Sequence, residues 1–202
     1  MKIPLFPLDL VLFPGTALQL HIFEDRYKEL IGECLQCHSE FGMVRARREG
    51  LPIIGCTAKI ITVMHRYPDG RLDILCRGER RFEIESLVEG RSFLEAEVDF
   101  LADQDPGSTR RDREQCAALH MEMMELSGNA ATEFPQLDLN QPVAFLLASA
   151  IPADLDFKQE LLHLHSDSER TARLMEFYQL ILPKLQCGSV GARTAARNGF
   201  VM

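Results

Sequence analysis

The chain has 202 residues, of which 46% are hydrophobic and 26% are charged, and this balance is that of an ordinary globular protein. A chain of this length buries roughly 70% of its unfolded surface, so it needs neither disulfides nor a metal ion to fold. Its formal net charge of −8 argues against nucleic-acid binding, because proteins that bind phosphate backbones draw much of their affinity from excess Lys and Arg.

The apolar segments do not match export or membrane signals. Pro4, Pro7 and Asp9 interrupt the apolar start of the chain, which a secretion signal would need as a helix. The longest apolar stretch, residues 143–153, covers about half a membrane span. We therefore expect a cytoplasmic protein with no membrane partner, whose six cysteines stay reduced.

Period-two patterns dominate the first hundred residues and predict an antiparallel sheet with one inserted helix. The strand signals cover residues 3–7, 17–21, 53–67, 72–84 and 94–100. The turn Pro68-Asp69-Gly70 predicts a hairpin, and Gly78 predicts a bulge or bend. The helix is indicated by six apolar residues on one face, namely Phe23, Tyr27, Leu30, Ile31, Cys34 and Leu35.

Helical signals dominate the second half. Asn140 is predicted to cap one helix, which Pro152 closes. Ser166 and Glu169 have the spacing of a capping box at the start of the last helix. The sequence therefore predicts the α+β class, with a curled antiparallel β lobe followed by a C-terminal helical bundle.

Composition divides the chain into four parts. The β lobe with its inserted helix is expected over residues 1–101, and residues 102–109 have the composition of a linker. The helical bundle is expected over residues 110–186. The last stretch, 187–202, is rich in small residues and is expected to be a mobile tail.

Six short segments occur in an order that is typical of one protein family. They lie at residues 3–15 (IPLFPL and FPG), 22–31 (IFEDRY and LI), 54–58 (IGCTA), 69–82 (DGR and GERRF), 158–162 (KQELL) and 169–170 (ER). Together they resemble the N-terminal substrate-binding domain of Lon-type ATP-dependent proteases, over roughly residues 2–186. One match is loose, because Cys56 separates Gly55 from Thr57.

This resemblance implies a PUA-like pseudo-barrel followed by a helical bundle. It also implies a role in recognition, because in the full proteases this domain precedes an ATPase ring and a protease domain and helps to capture unfolded or tagged substrates. No Gly of this chain is followed by Lys, so the phosphate-binding loop GxxxxGK[ST] does not occur. Residues 187–202 leave no room for a protease domain with its Ser–Lys dyad. We therefore expect a standalone, non-catalytic form of the family.

The resemblance also selects candidate site residues on the inserted helix. Phe23, Glu24, Arg26 and Tyr27 carry its signature, and we expect them to contact bound polypeptide. A structural role is the alternative, in which Tyr27 packs inward and Arg26 ties the helix to nearby backbone. Because clefts form where lobes meet, we expect the apolar binding surface near the junction of the two lobes.

Cys34-Leu35-Gln36-Cys37-His38 matches a haem-attachment motif, but three arguments oppose a cofactor. Haem attachment needs export, and no export signal is visible. The cysteines lie at the C-terminal end of the predicted helix, where the helix dipole disfavours a thiolate. A zinc site would need a second ligand pair. We therefore predict no catalytic residue, no metal and no cofactor, with Cys34 in the core and Cys37 and His38 ending the helix.

Two functions stay open at this point. The leading hypothesis is a binding module for unfolded or partly folded proteins, with a separate ATP-dependent protease as a candidate second partner. The alternative is a PUA-like nucleic-acid-binding protein. A cluster of arginines could bind phosphates or could be a solvated sheet edge, and its members are Arg45, Arg47, Arg48, Arg66, Arg80 and Arg81. The oligomeric state is not predicted.

Overall fold

The computed structural model of the protein describes residues 1–46, 53–104, 107–128 and 137–198, with side chains as far as residue 187. The strands in this part of the chain are β1 (Lys2–Leu8), β2 (Ala17–Ile22), β3 (Phe41–Arg45), β4 (Ile54–Arg66), β5 (Leu72–Val88) and β6 (Glu95–Leu101). The helices are α1 (Asp25–Cys37), α2 (Arg110–Leu126), α3 (Ala144–Ala150), α4 (Leu155–His163) and α5 (Asp167–Asn198). The predicted α+β class is confirmed.

The six strands form one sheet in the order β2-β5-β4-β3-β1-β6. β5 is long enough to pair also with β6, and this pairing closes the sheet into a barrel that leaves β2 as an extension. The predicted pseudo-barrel is therefore confirmed. Among the described strands, β1 and β3 are the one parallel pair, with Leu5 opposite Gly42, and the other pairs are antiparallel.

The interior of the barrel is filled by Phe82, which is fully buried. Two glycines make room for its ring. A Cβ at Gly42 would lie 2.8 Å from Phe82 Cζ, and a Cβ at Gly55 would lie 2.5 Å from the same atom. Both distances are too short for real carbon contacts, so a Cβ at either position would force its neighbours to shift. The aliphatic neighbours of the ring are Ile3, Leu5, Val44, Ala96 and Val98.

The hairpin between β4 and β5 has the predicted turn. The amide of Gly70 donates to the carbonyl of Tyr67 at 3.0 Å, and Gly70 has the positive φ of 85° that this turn requires. The irregularity predicted at Gly78 is also confirmed, since the ladder shifts register between Cys56 and Ala58, opposite Gly78. A Cβ at Gly78 would lie 2.2 Å from the carbonyl oxygen of Phe13.

Helix α1 buries four of the six residues predicted for its apolar face, namely Tyr27, Leu30, Ile31 and Cys34. Phe23 differs from the prediction. It precedes the helix, and 59% of its surface is exposed. Because α1 begins only at Asp25, the backbone at Phe23 does not follow the helical period that the prediction assumed.

The chain divides into two compact units. The first unit comprises Met1–Ala102 and Ala148–His163, and the second comprises Asp103–Leu147 and the residues from Leu164 onward. Residues 148–163 thus group with the β lobe, whereas the sequence predicted a helical bundle over the whole of 110–186.

Polar contacts and apolar packing attach α4 to the sheet of the first unit. The side-chain amide of Gln159 donates to the carbonyl of Ile54 at 2.9 Å. The buried guanidinium of Arg81 donates to the carbonyl of Leu162 at 3.0 Å. Leu161 and Leu162 are buried, so α4 contributes to the core of this unit.

In the second unit α2 packs against α5. Both helices begin at capping boxes. The box of Ser166 and Glu169 is the predicted one, with the Glu169 amide donating to Ser166 Oγ at 3.1 Å and the Ser166 amide donating to the Glu169 carboxylate. The other is formed by Thr109 and Asp112. Within the predicted linker, the buried Ser108 bonds the Asp167 carboxylate, so this residue is part of the packed unit.

Two helix boundaries differ from the sequence predictions. Helix α3 begins at Ala144, so Asn140 is not its N-cap; the amide of Asn140 instead donates to Asp138 in a turn. Helix α5 runs as far as Asn198, well into the predicted tail of residues 187–202. No helix that the structure describes is both long enough and apolar enough to span a membrane.

Candidate functional site

A groove of about 320 Å³ lies in the first unit beside β2. We call it the β2 groove. Its walls come from the end of β1, from β2 and from the start of α1. The lining residues are Phe6, Pro7, Leu8, Gln19, Leu20, His21, Ile22, Phe23, Glu24, Arg26 and Tyr27.

A stacked pair of aromatic rings supports the groove. The centroids of Phe6 and Tyr27 lie 4.0 Å apart with an interplanar angle of 20°, and both side chains are buried. The guanidinium carbon of Arg26 lies 4.5 Å from the Tyr27 ring centroid on its face. Burial raises the pKa of the Tyr27 phenol, so this side chain is uncharged at neutral pH. The base of the groove is therefore aromatic and neutral.

The acidic and the basic side chain that line the groove, Glu24 and Arg26, are paired with each other. The Arg26 guanidinium lies 2.7 Å from the Glu24 carboxylate. Arg26 thus bonds a side chain, whereas the structural alternative expected it to tie the helix to backbone. His21 Nδ1 lies 2.6 Å from Asp73 Oδ1, and this hydrogen bond, followed by one from Tyr67, lowers the pKa of the Asp73 carboxyl. The Glu24–Arg26 pair thus adds no net charge to the groove, which favours an uncharged ligand.

The rim of the groove is apolar. Phe23 and Leu8 are among the large hydrophobic side chains that the fold leaves exposed. The His21 ring lies beside Phe23, with the centroids 6.0 Å apart and an interplanar angle of 24°. Exposed apolar side chains beside a groove are typical of binding surfaces.

The structure brings together all four residues that the sequence selected, since Phe23, Glu24, Arg26 and Tyr27 line this one groove. They lie entirely within the first unit, whereas we expected the binding surface near a junction of lobes. The opposite walls, from β1 and β2, were not identified as site residues. The sequence did predict that both walls are extended, from the prolines at the start of the chain and from the short strand after Phe13-Pro14-Gly15. It did not predict that these strands face α1.

A second hollow, of about 350 Å³, has a different character. It is lined in part by Glu40, Arg80 and Phe100, and Arg80 both pairs with Glu40 at 3.0 Å and stacks over the Phe100 ring at 3.8 Å. Its prominent cation is therefore already neutralised. Fewer exposed apolar side chains line this hollow than the β2 groove, so we take the β2 groove as the candidate site.

The arginine cluster does not form a continuous basic surface in the described part of the chain. Arg45 pairs with Asp156 at 2.7 Å, and Arg81 is buried against α4. Arg47 and Arg48 lie outside the described residues. The local structure thus gives no support to phosphate binding by these side chains.

The Cys34–His38 motif is the end of helix α1, as the sequence predicted. Cys34 is buried, which raises the pKa of its thiol, while Cys37 is exposed. His38 adopts a left-handed conformation with φ 53° and caps the helix through a bond from its amide to the Cys34 carbonyl. Among the residues that the structure describes, no three His, Cys, Asp or Glu side chains are placed to hold a metal ion.

Comparison with known proteins gives the family. The model of the ATP-dependent protease La (LON) substrate-binding domain matches residues 2–179. Lon protease of Parabacteroides distasonis is 30% identical over 200 residues, which are 89% of this chain and 24% of that protein. Lon protease of Cytophaga hutchinsonii is 25% identical and is matched over 86% of this chain and 23% of its own length. The chain thus spans about a quarter of these relatives.

Solved structures give the same result for the fold. The Lon N-terminal domain protein from Xanthomonas campestris superposes with a TM-score of 0.70 at 26% identity, covering 87% of this chain and 98% of that one. The N-terminal domain of Mycobacterium avium complex Lon protease superposes with a TM-score of 0.68 at 21% identity, covering 89% and 98%. Because the family model matches most of its length, the chain belongs to the Lon substrate-binding domain family.

Proposed function

We propose that this chain is a non-catalytic recognition module that binds unfolded or tagged polypeptides in the β2 groove. The observation that carries the proposal is the position of Phe23, an exposed aromatic side chain at the rim of a groove with an aromatic, neutral base. Membership of a substrate-binding family supports it.

The size of the apolar contribution follows from exposure. Complete burial of a phenylalanine side chain is worth about 1.5–3 kcal/mol, and Phe23 has 59% of its surface left to bury, so its contact with a ligand contributes about 1–2 kcal/mol. An extended client loses conformational freedom when it binds, and this loss offsets much of the apolar gain. We therefore expect affinities in the micromolar range or weaker.

The test is a titration of the whole chain into a fluorescently labelled unfolded protein. A Phe23→Ser variant should weaken binding by about tenfold, which corresponds to about 1.4 kcal/mol. Leu87→Ser is a matched control, because Leu87 is 51% exposed but does not line the groove. Equal binding by both variants and the wild type would contradict the proposed site.

A labelled RNA titrated in parallel tests the nucleic-acid alternative. Binding of unfolded protein through apolar contacts should change little between low and moderate salt. Binding of RNA through phosphates would instead fall steeply with salt. Tight, salt-sensitive RNA binding with no signal from unfolded protein would show that the recognition proposal is wrong.

We further propose that captured polypeptides pass to an ATP-dependent protease that acts as a separate partner. The relatives are named Lon protease, and this chain matches about a quarter of their length. The same two variants give the readout. The wild type and Leu87→Ser should accelerate degradation of the unfolded protein by such a protease, and Phe23→Ser should not. The chain alone should hydrolyse neither ATP nor peptide.

A further inference from the structure

Strand β2 is the edge of the sheet that faces the β2 groove. Its pairing partner is β5, and no other described strand pairs with it. An edge strand presents backbone N–H and C=O groups that a further strand can bond. Only alternate residues of β2 direct their backbone N–H and C=O groups to this open edge.

The hydrogen bonds at the start of the β2–β5 ladder determine which residues of β2 bond β5 and which face the open edge. The amide of Gly78 donates to the carbonyl of Thr16 at 2.9 Å, and this pair continues the register in which Ala17 lies opposite Arg77. In an antiparallel ladder, alternate residues bond the partner strand. Leu18, Leu20 and Ile22 therefore bond β5, and Ala17, Gln19 and His21 direct their N–H and C=O groups to the open edge.

The other face of β5 agrees with this assignment. The amide of Tyr67, which follows β4, donates to the carbonyl of Arg71 at 2.9 Å. Arg71 and every second residue after it on β5 thus bond towards β4, which leaves Leu72, Ile74 and Cys76 for β2. These three are the registered partners of Ile22, Leu20 and Leu18.

The opposite wall is a poor template for a strand. In the groove wall contributed by β1, Pro7 has no N–H to donate. β1 also already uses one edge at these residues, because Pro7 and Leu8 pair with Val44 and Arg45 of β3. Backbone bonding by a ligand is therefore directed to β2, while Phe6, Leu8 and the α1 side offer apolar contact.

We propose that the groove binds its ligand by strand addition, in which an extended, uncharged polypeptide segment with alternating apolar side chains pairs with the open edge of β2 at Ala17, Gln19 and His21. The unpaired backbone groups select an extended chain, since a helix has no free groups of that spacing. The mutual pairing of Glu24 with Arg26 leaves no net charge from these two groove residues, which favours an uncharged segment. This inference rests on the proposed function and specifies the conformation of the ligand.

The first test changes the ligand and leaves the protein as it is. The probe is a short capped peptide of alternating valine and threonine, with a fluorescent label, titrated with the whole chain. Two analogues carry N-methyl groups on one or the other set of alternate amides. Strand addition uses one set only, so one analogue should bind about tenfold or more weakly than the other. Equal affinities of the parent and both analogues would overturn the inference.

The second test changes β2. Gln19→Pro removes an N–H from the open edge without removing a bond to β5, and proline is tolerated on edge strands. Gln19→Ala is the matched control, because it shortens the side chain and keeps the N–H. We expect about tenfold weaker peptide binding by Gln19→Pro and unchanged binding by Gln19→Ala, with circular dichroism confirming that both fold.

The two tests distinguish a failure of strand addition from a failure of the proposed polypeptide binding. If unfolded protein binds and Phe23→Ser weakens it, while the peptide fails to bind or both analogues bind like the parent, strand addition is wrong and the proposed function stands. If neither unfolded protein nor peptide binds, both are wrong. If instead the chain dimerises in sedimentation and only Gln19→Pro abolishes the dimer, a second copy occupies the edge and the inference is overturned.

Discussion

The buried histidine of the second unit should make stability depend on pH. His120 on α2 is fully buried, and its Nδ1 lies 2.8 Å from the hydroxyl of Tyr178 on α5. Burial lowers the pKa of His120 to about 4, whereas an unfolded histidine titrates near 6.5. The folded state therefore binds this proton less readily than the unfolded state. Its stabilising contribution is present above pH 6.5 and is lost as the pH falls towards 4.

The magnitude follows from the difference between the two pKa values. Between pH 7 and pH 4.5 the histidine alone should remove about 2–3 kcal/mol of the free energy of unfolding. The assay is urea unfolding at both pH values, followed by circular dichroism because the chain has no tryptophan. His120→Gln has no titrating ring, so its loss of stability over this interval should be smaller by that amount. His163→Gln, at an exposed position, is the control for replacing an imidazole by an amide. An equal pH dependence in His120→Gln would refute the reasoning.

Two pairs of substitutions, each a test and its control, probe the packing of the first unit. Gly55→Ala places a Cβ 2.5 Å from the buried ring of Phe82 and should lower the free energy of unfolding by about 1–3 kcal/mol. Its control is Gly32→Ala on α1, where no atom lies within 4 Å of the new Cβ. This control should raise the free energy of unfolding by up to about 1 kcal/mol. Urea unfolding measures both, and equal effects would contradict the packing argument. Gln159→Leu removes the donor to the Ile54 carbonyl and should cost about 1–3 kcal/mol, while the exposed Glu160→Gln should change stability by less than about 0.5 kcal/mol. A neutral Gln159→Leu would mean that this bond does not stabilise α4.

Local features of the fold could be predicted because their causes are local. The β4–β5 hairpin follows from Pro68-Asp69-Gly70, and the start of α5 follows from the Ser166–Glu169 spacing. The parallel pairing of β1 with β3 could not be predicted in this way. Period-two alternation shows that a strand has one buried face, but it is the same whichever strand lies beside it.

The position of α4 shows the same limit for helices. Its apolar face packs on the sheet of the first unit, yet a helix packed on other helices would show the same period. For the candidate site, the motif of Phe23, Glu24, Arg26 and Tyr27 indicated one side of the groove. The other side comes from residues 6–8 and 19–22, and only the tertiary structure brings these ranges together.

The place of β1 in the sheet has a consequence during synthesis on the ribosome. β1 lies between β3 and β6, and Lys2 pairs with Glu97. At a translation rate of about 5–20 residues per second, the strand that completes this pairing follows β1 by roughly 5–20 s. Through this interval at least one edge of β1 is unpaired, and the core around Phe82 lacks Ala96 and Val98 of β6. The nascent chain therefore exposes an unpaired apolar strand, which is the kind of segment that chaperones bind.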